Sequence, residues 1–220
     1  MADPLFGPCG TPLRDTFPVD GDPGAGWVGG FYGGYTKPSV VSGRIDATAA
    51  YKSMRRDAPT PNADCEIWGT PTFVVPNTVS LVARASATYG AAGTQAWELR
   101  LEARISGAGS GEDLATPGLY KWQGASSVRV ASGPLIMSGT PVALGLSGPI
   151  IRAFYWNGSS WVISCGTEDA AVSAAGYSGI VLKGTLDNLG DDSIIPVNRS
   201  LPMLAGVAEE GSALAVTTGD

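Results

Sequence analysis

Two glutamates, Glu98 and Glu102, sit in the run Trp97-Glu98-Leu99-Arg100-Leu101-Glu102. Paired carboxylates are the chemistry of glycoside hydrolysis, where two acids face one sugar roughly 5–9 Å apart. On an extended strand both would project from one face, but Arg100 stands between them and Arg104 follows. Neighbouring positive charge holds carboxylates ionised, whereas a general acid must keep its proton. The expectation is a solvated row of alternating charge rather than a catalytic pair. Asp64 and Glu66 also alternate, around Cys65, but no third acid accompanies them. The chain contains no histidine, which removes Ser-His-Asp and Cys-His nucleophilic schemes and histidine-bearing zinc sites. The Gly-rich pieces Gly21 to Gly26 and Gly107 to Gly111 lack the Lys-Ser/Thr ending of a phosphate loop. No catalytic residue and no enzymatic activity are expected.

Aromatic residues offer binding chemistry instead. Tyr155, Trp156, Asn157 and Trp161 surround one Asn157-Gly158 step. Rings can stack on sugar faces while an amide bonds hydroxyls, so this set is the candidate carbohydrate site. The competing role is structural, because large rings dominate cores and interfaces. On that reading Trp27, Trp68 and Trp97 fill the core and the hairpin rings pack on a neighbour. Phe31-Tyr32-Gly33-Gly34-Tyr35 reads as a flexible aromatic contact loop.

With 31 Gly and 16 Pro among 220 residues, the chain suits many short strands joined by turns. Charged residues make up only 15%, so much of the exterior must be small and polar or covered by other subunits. A net charge of −6 with no basic cluster beyond Arg55-Arg56 excludes a phosphate-tracking surface, and nucleic acid is not an expected partner. No uncharged apolar stretch is long enough to span a membrane. Met1 to Gly10 has neither a positive region nor an apolar core, so no signal peptide is expected. Cys9, Cys65 and Cys165 cannot all pair within one chain and are not spaced as metal ligands. Thiols in a reducing compartment, and therefore cytoplasmic synthesis, are the expectation.

These residues must be positioned by β-strands. The alternation in Trp97 to Ile105 puts Trp97, Leu99, Leu101, Ala103 and Ile105 on a core face. Further strands are expected at Ser39 to Ala47, Ala63 to Trp68, Thr78 to Ala87, Leu119 to Trp122, Ser127 to Ala131, Pro141 to Leu146, Ile150 to Trp156, Trp161 to Ser164 and Gly179 to Lys183. Asn157-Gly158 is a strong hairpin signal, because both residues tolerate positive φ. Ala47 to Arg56 is the one candidate short helix. The pattern predicts an all-β fold, an antiparallel two-sheet sandwich over residues 15–190. Residues 1–14 and 191–220 are read as N- and C-terminal arms. Leu5, Phe6, Ile194, Ile195, Leu201 and Leu204 are the residues expected to make assembly contacts through those arms.

The order of these signals resembles the concanavalin A-like jelly-roll superfamily, in the form found in bacteriophage structural proteins. The resemblance rests on Asp15-x-Phe17 with Trp27, Leu81 to Ser86, Trp97 to Leu101, the Asn157-Gly158 hairpin, Gly176 to Ile180, and Leu186-Asp187-Asn188-Leu189. It implies two curved antiparallel sheets and a carbohydrate-binding concave face or rim. Glycanases of this type place their carboxylates at alternating positions of one strand, which again singles out Glu98 and Glu102. Members that bind calcium use loop Asp and Asn residues in close sets, and Asp187-Asn188 with Asp191-Asp192 is the dense set here. Such clusters in turns are more commonly solvated or bonded to local backbone, and no metal or other cofactor is expected.

Two functions follow. The first is a bacteriophage virion structural protein, a capsid decoration or tail-associated subunit. It is synthesised in the host cytoplasm and packs through its arms against copies of itself and other virion proteins. The alternative is a lectin-like module that binds surface glycans during host adsorption.

Overall fold

The computed structural model describes residues 13–14, 17, 20–73, 78–105 and 113–193. Strands are numbered along the chain. In spatial order one sheet contains β14 (Trp161–Glu168), β13 (Ile150–Trp156), β12 (Val142–Ser147), β6 (Cys65–Phe73), β16 (Gly184–Ser193), β4 (Arg44–Asp46) and β3 (Ser39–Val41). β1 (Leu13–Arg14) pairs with β16 off this path. The second sheet runs β10 (Ser127–Ser132), β9 (Asp113–Gln123), β8 (Gln95–Ile105), β7 (Thr78–Ala85), β15 (Tyr177–Leu182), β5 (Lys52–Arg56) and β2 (Trp27–Gly29). β11 (Ile136–Met137) pairs with β9. Every strand pairing within the sheets is antiparallel. Among the described residues there is no helix, and none therefore long and apolar enough to cross a membrane.

The inner faces of the two sheets form one core. Ile67, Leu144, Leu146 and Ile151 from the first sheet meet Leu81, Leu99, Leu101 and Ile180 from the second, all at or below 1% exposure. Each such side chain contributes roughly 1.5–3 kcal/mol of transfer free energy. The alternation read in β8 has this origin: Trp97, Leu99 and Leu101 point inward, and the even-numbered residues point out of the sandwich.

Several expected elements take another form. The candidate helix over Ala47 to Arg56 contains β5, because Met54 is buried in the core while the segment's backbone joins β15 and β2. Ser39 to Ala47 is a hairpin rather than one strand. Ser42 and Gly43, at φ 52° and 75°, turn the chain between β3 and β4, as a two-residue hairpin loop requires. β6 and β9 run well past their expected limits, through Pro71 and Pro117. Both prolines sit where one flanking ladder is interrupted. β12 pairs with β6 only to Gly69, and β10 and β11 leave residues 116–117 of β9 uncovered. A missing N–H costs no ladder bond there.

Trp27 and Trp97 are core residues, as expected, but Trp68 is half-buried and lies over Gly190, on the face of the first sheet away from the core. Cys65 and Cys165 are buried free thiols. Pairing in β16 continues to Ser193, and β1 lies at residues 13–14. Leu5, Phe6, Ile194, Ile195, Leu201, Leu204 and Cys9 lie outside the described residues.

Candidate functional site

The outward face of the second sheet carries the polar residues of β7, β8 and β9. The register places Ser80 opposite Arg100, Val82 opposite Glu98, and Glu98 opposite Tyr120. The row beginning at Glu98 is not the solvated row expected from the sequence. Glu98 is 2% exposed. Its Oε1 accepts from Ser80 Oγ at 2.6 Å and Arg100 Nε at 2.9 Å. Its Oε2 accepts from Arg100 Nη2 at 2.7 Å and the Trp122 indole at 2.7 Å. Burial pushes this carboxyl toward its neutral form, but the Arg100, Ser80 and Trp122 bonds outweigh burial and hold its pKa below the ordinary glutamate value. The Arg100 guanidinium is held charged by the same pair, against the opposing effect of burial. It also lies 3.9 Å from the centre of the Tyr120 ring, and the Tyr120 hydroxyl donates to Glu102. Burial, followed by that bond, pushes the Tyr120 pKa up.

Aromatic residues cover this floor. The tract Phe31 to Tyr35, expected to be a flexible contact loop, folds back over the sheet, where Phe31 is 1% exposed. Gly179 permits this, because a Cβ there would stand 2.6 Å from the Phe31 ring. Phe31 stacks on Tyr89 with ring centres 5.0 Å apart, and Tyr89 contacts Trp122 at 4.8 Å. Tyr32 lies over Tyr89 at 5.3 Å, Tyr35 beside Tyr32 at 5.3 Å, and Tyr51 stacked on Tyr35 at 5.8 Å. Backbone bonds fix the loop: Gly30 N–H to the Tyr35 carbonyl, Tyr89 N–H to the Phe31 carbonyl, and Tyr32 N–H to Ser53 Oγ. Between this ring wall and the charged row lies a groove of about 590 Å³, lined on its ring side by Tyr32, Tyr35, Tyr51 and Tyr89 and on its polar side by Glu98, Arg100 and Glu102.

The residues singled out at the hairpin lie on the other sheet. Trp156 and Trp161 are cross-strand partners with ring centres 5.9 Å apart, both half-buried. Tyr155 packs against the central core. Asn157 Oδ1 accepts from Ser159 N at 3.0 Å, Ser159 Oγ at 3.0 Å and Ser160 N at 2.9 Å. Its amide oxygen is thus committed to the turn itself. The structure brings the two tryptophans together and directs Tyr155 elsewhere.

Asp187 and Asn188 lie in a bulge of β16, where the register with β6 shifts between Asp187 and Gly190. Asn188 adopts φ 52°, and Asp187 Oδ1 accepts from the Asn188 N–H at 2.8 Å. Asp187 also faces Arg44 at 3.8 Å. Among the described residues no three His, Cys, Asp or Glu side chains converge as metal ligands. The groove was missed because its parts are distant in the chain. The row Glu98, Arg100 and Glu102 and the tract Phe31 to Tyr35 were both visible in the sequence, but nothing local joined one to the other.

No family model and no curated protein matches this chain. Solved structures do. One is the VIP36 exoplasmic/lumenal domain in its Ca2+/Man-bound form, with a TM-score of 0.58 at 10% identity over 77% of this chain and 82% of that one. Another is a Bacillus subtilis protein of unknown function with a galectin-like fold, with a TM-score of 0.52 at 15% identity over 84% and 96%. A third is the CBM2 module of the evolved Dit of Lactobacillus casei BL23 phage J-1, with a TM-score of 0.50 at 8% identity over 82% and 95%. The likeness is one of fold: the chain shares the antiparallel two-sheet β-sandwich of these structures.

Proposed function

We propose that this chain is a carbohydrate-binding, lectin-like module and that the groove on its second sheet holds the sugar. The observation that carries this reading is a wall of half-buried tyrosines facing a fixed row of charged hydrogen-bonding groups. Stacked rings suit the C–H faces of a pyranose, and polar groups fixed before binding suit its hydroxyls, since little ordering cost remains to be met. The module is non-catalytic. Glu98 is held ionised and fully bonded, so it lacks the proton a general acid must deliver. Among fold neighbours, the Ca2+/Man-bound VIP36 domain and the phage Dit CBM2 module support the sugar-binding reading. The paired Trp156 and Trp161 form the second candidate surface.

The likeness to a phage Dit module also favours a place for this domain on a virion, as an adsorption module joined to other virion proteins. Glycan recognition and virion assembly are compatible roles. The deciding experiment titrates the chain with neutral methyl pyranosides and their oligosaccharides by calorimetry. Saturable one-site binding that quenches Trp122 fluorescence is the expected result. Absence of binding across neutral, amino and acidic sugars overturns the reading and leaves assembly as the function to test.

A further inference from the structure

One polar atom in the groove is left over. The Tyr89 hydroxyl is buried, with the residue 1% exposed, and it makes no hydrogen bond of good geometry. Burial, then the charge and the close approach of the Glu98 carboxylate, push the Tyr89 pKa well above the ordinary phenol range. Yet Glu98 has no acceptor position to spare. A carboxylate offers about four lone-pair sites, and Ser80, the two nitrogens of Arg100 and Trp122 occupy four. The hydroxyl is therefore a neutral donor held beside a saturated acceptor. Buried donors without partners are uncommon because leaving one unpaired is costly. A fold that only needed an aromatic ring at this position would be served by phenylalanine.

We infer that Tyr89 is the specificity-determining hydrogen-bond donor of the groove, reserved for an acceptor oxygen on a neutral pyranose. The inference rests on the carbohydrate-binding reading above and adds the residue that reads the ligand. The Tyr32 ring lies against the Tyr89 ring, with centres 5.3 Å apart, and both rings line the groove through which a sugar oxygen would approach. Tyr32 is half-buried and is followed by Gly33 and Gly34 at φ 50° and 82°. A Cβ at either glycine would have no atom within 4 Å, so the turn faces open space at the edge of the groove while its backbone bonds hold it in place. Glu98 does not compete, since its acceptor positions are filled, and Arg100 and Glu102 on the same wall are left for the sugar's other hydroxyls.

Tyr89→Phe removes the hydroxyl and keeps the ring stack with Phe31 and Trp122. A methyl pyranoside that binds the wild-type chain is titrated against both proteins, together with its monodeoxy analogues, and both melting temperatures are recorded. The expected result is a loss of affinity of roughly fivefold or more with an unchanged or raised melting temperature. One monodeoxy analogue should lose affinity for the wild type and none further for Tyr89→Phe. Unchanged affinity overturns the inference while leaving the carbohydrate-binding reading intact. A lowered melting temperature without that coupling shows a structural hydroxyl and also overturns it. If no sugar binds the wild-type chain, the carbohydrate-binding reading fails and takes this inference with it.

Discussion

The groove on the second sheet and the hairpin tip on the first contain the same residue types. Each has a pair or more of aromatic rings beside amides, hydroxyls or carboxylates. They differ in where the polar groups find partners. At the hairpin, Asn157 bonds residues two and three positions ahead, so its oxygen serves the turn. In the groove, the polar groups come from β7, β8 and β9 and bond across strands, with the Tyr89 hydroxyl left over. The hairpin satisfies its own amide locally, although the Trp161 indole N–H there is also buried without a partner. A site assembled from distant segments can hold a donor in reserve, because the surrounding sheet fixes it in place.

The sharpest way to break this comparison is to remove the centre of the groove floor. Glu98→Ala leaves Arg100, Ser80 and the Trp122 indole without their shared acceptor. Breaking a buried pair from one side costs about 3–5 kcal/mol, and urea unfolding should show a loss of this size. A loss under about 1 kcal/mol would mean that the row is solvated, as alternation alone implies.

The same carboxylate sharpens the comparison through pH. Its folded pKa lies below its ordinary value of 4.5, so the unfolded chain binds more protons in that window. The stability it contributes is complete above about pH 4.5 and disappears as pH falls through the lower folded value. Urea unfolding from pH 6 downward should show wild-type stability falling toward that of Glu98→Gln below pH 4.5. Parallel curves for the two proteins would contradict the buried, ionised assignment.

Sequence made the sandwich legible because hydrophobic alternation is a local property, as in Trp97, Leu99 and Leu101 of β8. It also made the hairpin legible, since Asn157-Gly158 encodes its turn within two residues. The burial of Glu98 was not legible. Alternation shows only that Glu98 shares a face with Arg100, not that Phe31 to Tyr35 folds over that face from some sixty residues away. Pro71 and Pro117 shortened the expected strands because a ladder that stops beside a proline depends on the neighbouring strand. The helix expected around Met54 failed for the same reason: short segments take their form from β15 and β2, not from themselves.

Sugar binding should separate the two regions next. Tyr35→Ala and Tyr51→Ala each remove a ring of the groove wall and should weaken pyranoside binding at least tenfold, about 1.4 kcal/mol. Trp156→Ala and Trp161→Ala should change it less than twofold. Calorimetry on the four variants reads this directly, and the reverse ordering would move the site to the hairpin.

The smallest effect belongs to Asn157. If its oxygen serves only the turn, Asn157→Ala costs about 0.5–1 kcal/mol, because three exposed bonds replace bonds to water. Asn157→Asp keeps the acceptor and should cost almost nothing. Neither should alter sugar affinity, since an oxygen already accepting from Ser159 and Ser160 has little left to offer a ligand. Unfolding and calorimetry on the same two proteins decide the matter. Should Asn157→Ala lose affinity and keep its stability, the turn bonds would be incidental. The Asn157 amide would then be a ligand contact rather than a turn device, and the contrast between the two regions would fail at its starting point.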